Sequence, residues 1–174
     1  KIGARRGVLL NSGGFARNAR LRHQYGRTPV YAKCTNAAPG DTGEMIEVAM
    51  ALGAATDCMD EAIWGLASLG PGESFPEGAV AADGTPIPFG HHFDISLPHS
   101  IVVDQLGQRF VNEATSYMEV GQRLYRRHAD TGKAIPAWAI LDSRHRERYL
   151  WGFTLGKTPQ AWLDSGYMKR AQTL

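Results

Sequence analysis

The chain has 174 residues, enough for one or two small folding units, and its 43% apolar content supports a packed core and excludes a disordered chain. A formal net charge of +2 argues for neither nucleic acid nor a membrane surface as a partner. Two cysteines, Cys34 and Cys58, fit neither a disulfide framework nor a zinc pattern, and read as reduced thiols of a cytoplasmic protein. No apolar stretch approaches the ~20 residues of a membrane span. No signal-peptide shape follows Lys1 to Arg6, and a first residue that is Lys fits a stretch cut from a longer chain, with processing or an omitted start residue giving the same picture.

In chain order, Gly7-Val8-Leu9-Leu10 is predicted as a short strand that turns at Asn11-Ser12-Gly13-Gly14 into a helix over Phe15 to Tyr25, with Gly26 as its C-cap. Asp41, with Glu44 at capping-box spacing, predicts a second helix ending near Ala54. Residues 65–90 are rich in Gly and Pro and read as a crossover between two units. Ser100–Asp104 and Gln108–Asn112 are predicted as a hairpin, with Gly107 available for positive φ in its loop. Ser116 and Glu119 form a capping box that opens a helix to about His128, with Tyr117, Val120 and Leu124 on its inner face. Pro136–Leu141 is strand-like, Asp142 caps a helix to Leu150, and Thr158-Pro159 opens a last helix. Strands alternate with helices, so the expected class is α/β or α+β.

Several constellations have a functional and a simpler reading. Ser12-Gly13-Gly14 after a strand brings backbone N–H groups near an anion or nucleotide edge, or is only a tight turn; no G-x-G-x-x-G occurs. Asp41 at a helix start accepts from a sugar hydroxyl or simply caps. Gly152 to Thr158 has the wrong spacing for a phosphate loop and is better read as a helix cap. His91-His92, with Asp94 and His99, matches no metal-ligand spacing and is favoured as a surface or substrate-channel loop, so no metal is expected. Asp142 and His145 read as a cap and a helix face. The arginines from Arg123 to Arg148, interleaved with Tyr125, Tyr149 and Trp151, are better explained as solvated helix faces than as a nucleic-acid surface. Tyr117 stands at the first turn of a capped helix, where the positive dipole end favours a phenolate and so a base; the simpler reading is a core tyrosine packed on Val120 and Leu124.

Four segments, in this order, resemble one family. Gly7 to Phe15 is similar to the internal Ala-Thr-Gly-Gly-Phe segment of flavoproteins of the fumarate reductase and 3-ketosteroid dehydrogenase superfamily, with Asn11-Ser12 in place of the usual Ala-Thr. Pro39 to Ala54 resembles their Gly-Asp-Gly helix, Asp104 to Glu113 their strand-turn-strand ending in Arg-Phe-Val-Asn-Glu, and Ala139 to Arg144 the strand and helix that follow. Asn112-Glu113 followed by Tyr117, and Asp60-Glu61-Ala62 followed by Trp64-Gly65, resemble the 3-ketosteroid branch; fumarate reductase-like members carry an Arg-Asp pair where Tyr117-Met118 stands.

The resemblance implies part of a Rossmann-like FAD domain over 1–64, a crossover over 65–90, and part of an α+β substrate domain over 91–174. It implies FAD held by Ser12, Gly13, Gly14, Asp41 and Gly43, and a steroid or other apolar ketone met by Phe93, Glu113 and Tyr117. Tyr117 is then the base that removes the proton beside the ketone, while a hydride passes to the flavin. Two further tyrosines of the family, the dinucleotide fingerprint and the Gly-rich C-terminal segment come from outside these residues, so this stretch alone is expected to be inactive and not to retain FAD. A related reductase of enones or dicarboxylates, and a non-catalytic binding module, are the alternatives. The electron acceptor is left open.

Overall fold

A computed structural model describes residues 3–32, 34–71, 80–81, 84 and 87–173. The chain divides into two compact units, 1–61 and 62–174. Residues 65–90 thus fall within the second unit. The ends of that segment pair as β1 (Ala67–Ser68) and β2 (Phe89–Gly90), with Ala67 opposite Gly90 and Ser68 opposite Phe89. Much of the stretch between them lies outside the described residues.

The first unit carries α1 (Ala19–Tyr25) and α2 (Glu44–Ala51). The predicted strand at Gly7 to Leu10 is absent. A strand exists only through its ladder, and no described residue pairs with this run, which leaves Leu9 90% exposed. Helix α1 starts later than expected because Asn18 caps it, its Oδ1 accepting from Leu21 N–H at 3.1 Å. The Asn18 amide also donates to Thr42 O at 2.8 Å, tying the start of α1 to the turn before α2. Gly26 closes α1 as predicted. Asp41 does not cap α2. Gly43 occupies that position in the left-handed region at φ +82°, and the Thr42 hydroxyl donates to the Glu44 carboxylate.

In the second unit β3 (Ser100–Val103) pairs antiparallel with β4 (Trp138–Leu141), from Ser100 opposite Leu141 to Val103 opposite Trp138. The predicted hairpin shrinks to a single bridge, Val103 to Arg109. The reason is local: the Val102 N–H, which a second ladder would need, donates to Glu113 Oε1 at 2.7 Å. The loop itself forms as read, with Gly107 at φ +74°. Helix α3 (Tyr117–Thr131) begins at Ser116, whose Oγ accepts from Glu119 N–H, and ends at Gly132 in the left-handed region. Glu119 completes no capping box; its carboxylate takes the Thr115 hydroxyl and Arg123 instead. Helix α4 (Ser143–Arg148) is capped by Asp142, and α5 (Gln160–Asp164) follows Pro159 rather than Thr158. Ile95, Val102, Val111, Val120, Trp151 and Trp162 form the core of this unit. The mixture of helix and strand is the expected one.

Asp104 is fully buried under the loop and accepts from the Leu106 and Gln108 N–H groups and from Arg127 at 2.9 and 2.7 Å. Burial alone would raise its pKa, but the hydrogen bonds from Gln108, Arg127 and Leu106, with the Arg127 charge, outweigh it and hold the carboxyl low. A depressed carboxyl contributes stability that is complete above its unfolded value of about 3.9 and is lost as pH falls through the folded one. Thermal melts between about pH 7 and pH 3 should therefore show a fall in Tm that Asp104→Asn flattens, while lowering Tm at neutral pH. An unchanged acid limb in that variant would remove Asp104 from the acid response.

Candidate functional site

Two glycine turns meet in the first unit. Residues 11–14 are exposed, and no described residue accepts a hydrogen bond from their backbone N–H groups. Gly13 has φ +82°, and a Cβ on it would stand 2.2 Å from Asp41 Oδ1, nearer than real atoms approach. Gly14 faces open space, with nothing within 4 Å of an added Cβ. Gly43 is enclosed, since a Cβ there would meet Leu21 Cδ1 at 2.7 Å and Phe15 Cβ at 2.8 Å. The fold thus brings Ser12, Gly13 and Gly14 beside Asp41, and Gly43 packs α1 and the turn together. The result is a bare backbone ledge with one carboxylate beside it, suited to close approach by a polar edge that can donate to Asp41.

A second cluster forms in the other unit around the start of α3. Tyr117 is 47% exposed, so it is not the core residue of the simpler reading, and no described residue hydrogen-bonds its phenol. One turn on, Gly121 is buried against Trp64, with a Cβ there falling 2.2 Å from Trp64 Cβ. A mid-helix glycine costs about 1 kcal/mol relative to alanine. Here it lets residues 64–65 lie directly on the helix, with Trp64 N–H against Met118 Sδ at 3.3 Å and the indole 4.8 Å from the Tyr125 ring. His92 fills the space beside Tyr117, ring centroids 5.7 Å apart, and touches Phe93 at 4.4 Å. Phe93 is 74% exposed, an unusual cost for a large apolar ring unless something covers it.

Glu113 does not face that cluster freely. It is 5% exposed, and its carboxylate holds Arg109 through both oxygens and takes the Val102 N–H. Burial would raise its pKa; the Arg109 and Val102 hydrogen bonds and the Arg109 charge prevail and lower it. Glu113 is thereby a brace between β3 and the following turn, and Arg109 is neutralised within the chain.

A family model described as "FAD binding domain" matches residues 1–166. The chain belongs to this FAD binding domain family. A 3-oxosteroid 1-dehydrogenase of Mycobacterium tuberculosis is 37% identical over 99% of this chain and 29% of its own length. A 4-oxocyclohex-2-ene-1-carboxylate 5-dehydrogenase of Sinomonas cyclohexanicum is 31% identical over 100% of this chain and 29% of its own. A crystal structure of 3-ketosteroid delta1-dehydrogenase from Sterolibacterium denitrificans, in complex with 1,4-androstadiene-3,17-dione, superposes with a TM-score of 0.75 at 37% identity. It covers 91% of this chain, which spans 27% of that one. The chain therefore spans under a third of the length of these relatives.

Among the described residues no three His, Cys, Asp or Glu side chains gather as for a metal, and no helix is long and apolar enough to cross a membrane. Arg123 pairs with Glu119, Arg127 with Asp104, and Arg146 donates to Thr154, so these arginines are engaged within the chain. His145, read as a helix-face residue, is fully buried beside Trp151, its Nε2 at 3.2 Å from Asp94 O. Trp64, His92 and Gly121 were not picked out as neighbours of Tyr117. Each left a local signal, Trp64 in the branch-like segment with Gly65, His92 in the surface or channel loop and Gly121 as a lone glycine inside a helical pattern, but nothing joined them to Tyr117.

Proposed function

We propose that this chain serves in a flavin-dependent dehydrogenase that introduces a carbon–carbon double bond beside the ketone of a 3-ketosteroid. The observation that carries the reading is Tyr117: a half-exposed phenol at the start of a capped helix, against His92, whose ring also meets the exposed Phe93. The 37% identity to a 3-oxosteroid 1-dehydrogenase over nearly the whole chain supports the substrate class.

The ledge fits FAD. Ser12, Gly13 and Gly14 present open backbone where side chains would obstruct, Asp41 offers an acceptor for a sugar hydroxyl, and Gly43 keeps the two turns together. When bound, FAD supplies the acceptor for the departing hydride. The protein's residues do the rest. The ketone acidifies the neighbouring C–H, and the Tyr117 oxygen, acting as the phenolate, receives that proton. Phe93 covers hydrocarbon of the substrate and excludes water from the reacting face. Glu113 acts from beneath, as a brace. The two cysteines, both unpaired, support a cytoplasmic setting.

Arg109 bears on the alternative. A small carboxylate substrate needs a free basic clamp, and this guanidinium is already held by Glu113. The test is a substrate panel on the full-length holoenzyme with an artificial electron-accepting dye. A 3-ketosteroid should be turned over well above 4-oxocyclohexanecarboxylate and fumarate. Turnover confined to the small carboxylates would overturn the steroid reading.

A further inference from the structure

Beneath the turn that carries His92 and Phe93 lies a closed polar network. His91 is 4% exposed and lies flat on Trp151, centroids 4.2 Å apart at 17°. Its Nε2 meets Ser68 Oγ at 2.5 Å and its Nδ1 meets Asp94 Oδ2 at 3.2 Å. Ser68 Oγ also meets the Tyr167 hydroxyl at 2.6 Å, and Asp94 Oδ2 accepts from Gly152 N–H at 3.0 Å. Hydroxyl, imidazole and carboxylate stand in the order of a nucleophile, its base and its orienter. Here, however, Tyr167 holds the hydroxyl from the other side and Trp151 covers the imidazole. Apart from His91 to Asp94, three residues on in the same turn, each contact ties one chain segment to another, so the network is a clamp. It fixes His91 inward, and the next two residues project outward: His92 toward Tyr117, and Phe93 into the open.

His92 is confined on several sides. Its ring lies at 54° to both the Phe93 and the Tyr117 rings, and a Cβ on Gly65 would stand 3.8 Å from its Nδ1. Gly65 is in turn held by Trp64 on Gly121 of the same helix that carries Tyr117.

We propose that His92 is a positioning residue of the Tyr117 site: wedged between Phe93 and Tyr117, its ring holds the phenol in the orientation that reaches the substrate carbon. This rests on Tyr117 being the base. Misplacement by about 1 Å can cost on the order of 100-fold in rate. In the full-length holoenzyme, His92→Ala should lower kcat by roughly 10- to 100-fold with little change in KM, and His92→Phe, which keeps a flat ring, should restore most of it. The decisive readout is coupling. If His92 acts through Tyr117, the His92→Ala loss disappears when both are compared in a Tyr117→Phe background. Wild-type kcat in His92→Ala, a loss confined to KM, equal losses in the Ala and Phe variants, or a loss that persists in the Tyr117→Phe background would each overturn the proposal. Wild-type turnover by Tyr117→Phe alone would instead overturn the base assignment, and the His92 role with it. Flavin content after gel filtration verifies that each variant is folded.

Discussion

Tyr117→Phe in the full-length holoenzyme is expected to slow reduction of the flavin by a 3-ketosteroid by about 10²- to 10⁴-fold, the usual contribution of a positioned acid or base. Steroid affinity and flavin content should stay close to wild type. The substitution removes one oxygen and leaves the ring, and the ring is what packs on His92. No described residue loses a hydrogen bond, because none is made to that phenol. Rapid mixing of oxidised enzyme with steroid, read at the flavin absorbance band, isolates this half-reaction from the unknown electron acceptor. A reduction rate equal to wild type would remove Tyr117 from the chemistry. A loss of steroid binding with no change in the saturated rate would make it a binding residue only.

Gly13→Ala in the full-length holoenzyme should cost at least tenfold in FAD retention, read as flavin absorbance per protein after gel filtration. An alanine at φ +82° is strained by roughly 1–2 kcal/mol, and about 1.4 kcal/mol is a factor of ten in affinity. The Cβ would also strike Asp41, moving the carboxylate that the cofactor is proposed to meet. Gly14→Ala is the sharper companion. Its Cβ meets no described residue within 4 Å, so the fold should be unaffected and any loss of flavin would report direct crowding of the cofactor. If both variants keep stoichiometric FAD, the ledge is not the flavin site.

Local chemistry could be read from the sequence; long-range partners could not. Ser116, Gly107 and Asp142 were identified as cap, loop glycine and cap, because each effect is completed within a few residues. The strand at Gly7 to Leu10 failed for the opposite reason: a short apolar run says what a strand needs but not whether a neighbour is present. The hairpin failed because β3 finds its ladder beyond α3, and a carboxylate from Glu113 occupies the edge that the nearer segment would have used. Glu113 itself was expected to face the substrate; an acidic residue close to a catalytic candidate looks the same in sequence whether it is turned outward or folded back on an arginine. The cluster around Tyr117 joins positions near 64, 92 and 117, and no periodicity links them.

The tryptophan seated on Gly121 has a mechanical consequence. The root of the Trp64 side chain, its Cβ and Cγ, against bare backbone leaves no cushion of side-chain rotamers, so residues 64–65 can neither sink closer to the helix nor slide along it without lifting away. The wall behind His92 therefore stands at a height set by an absent methyl group. Any residue larger than glycine at position 121 would tilt that wall outward and loosen the recess, although position 121 itself lies buried beneath the face where the chemistry would take place.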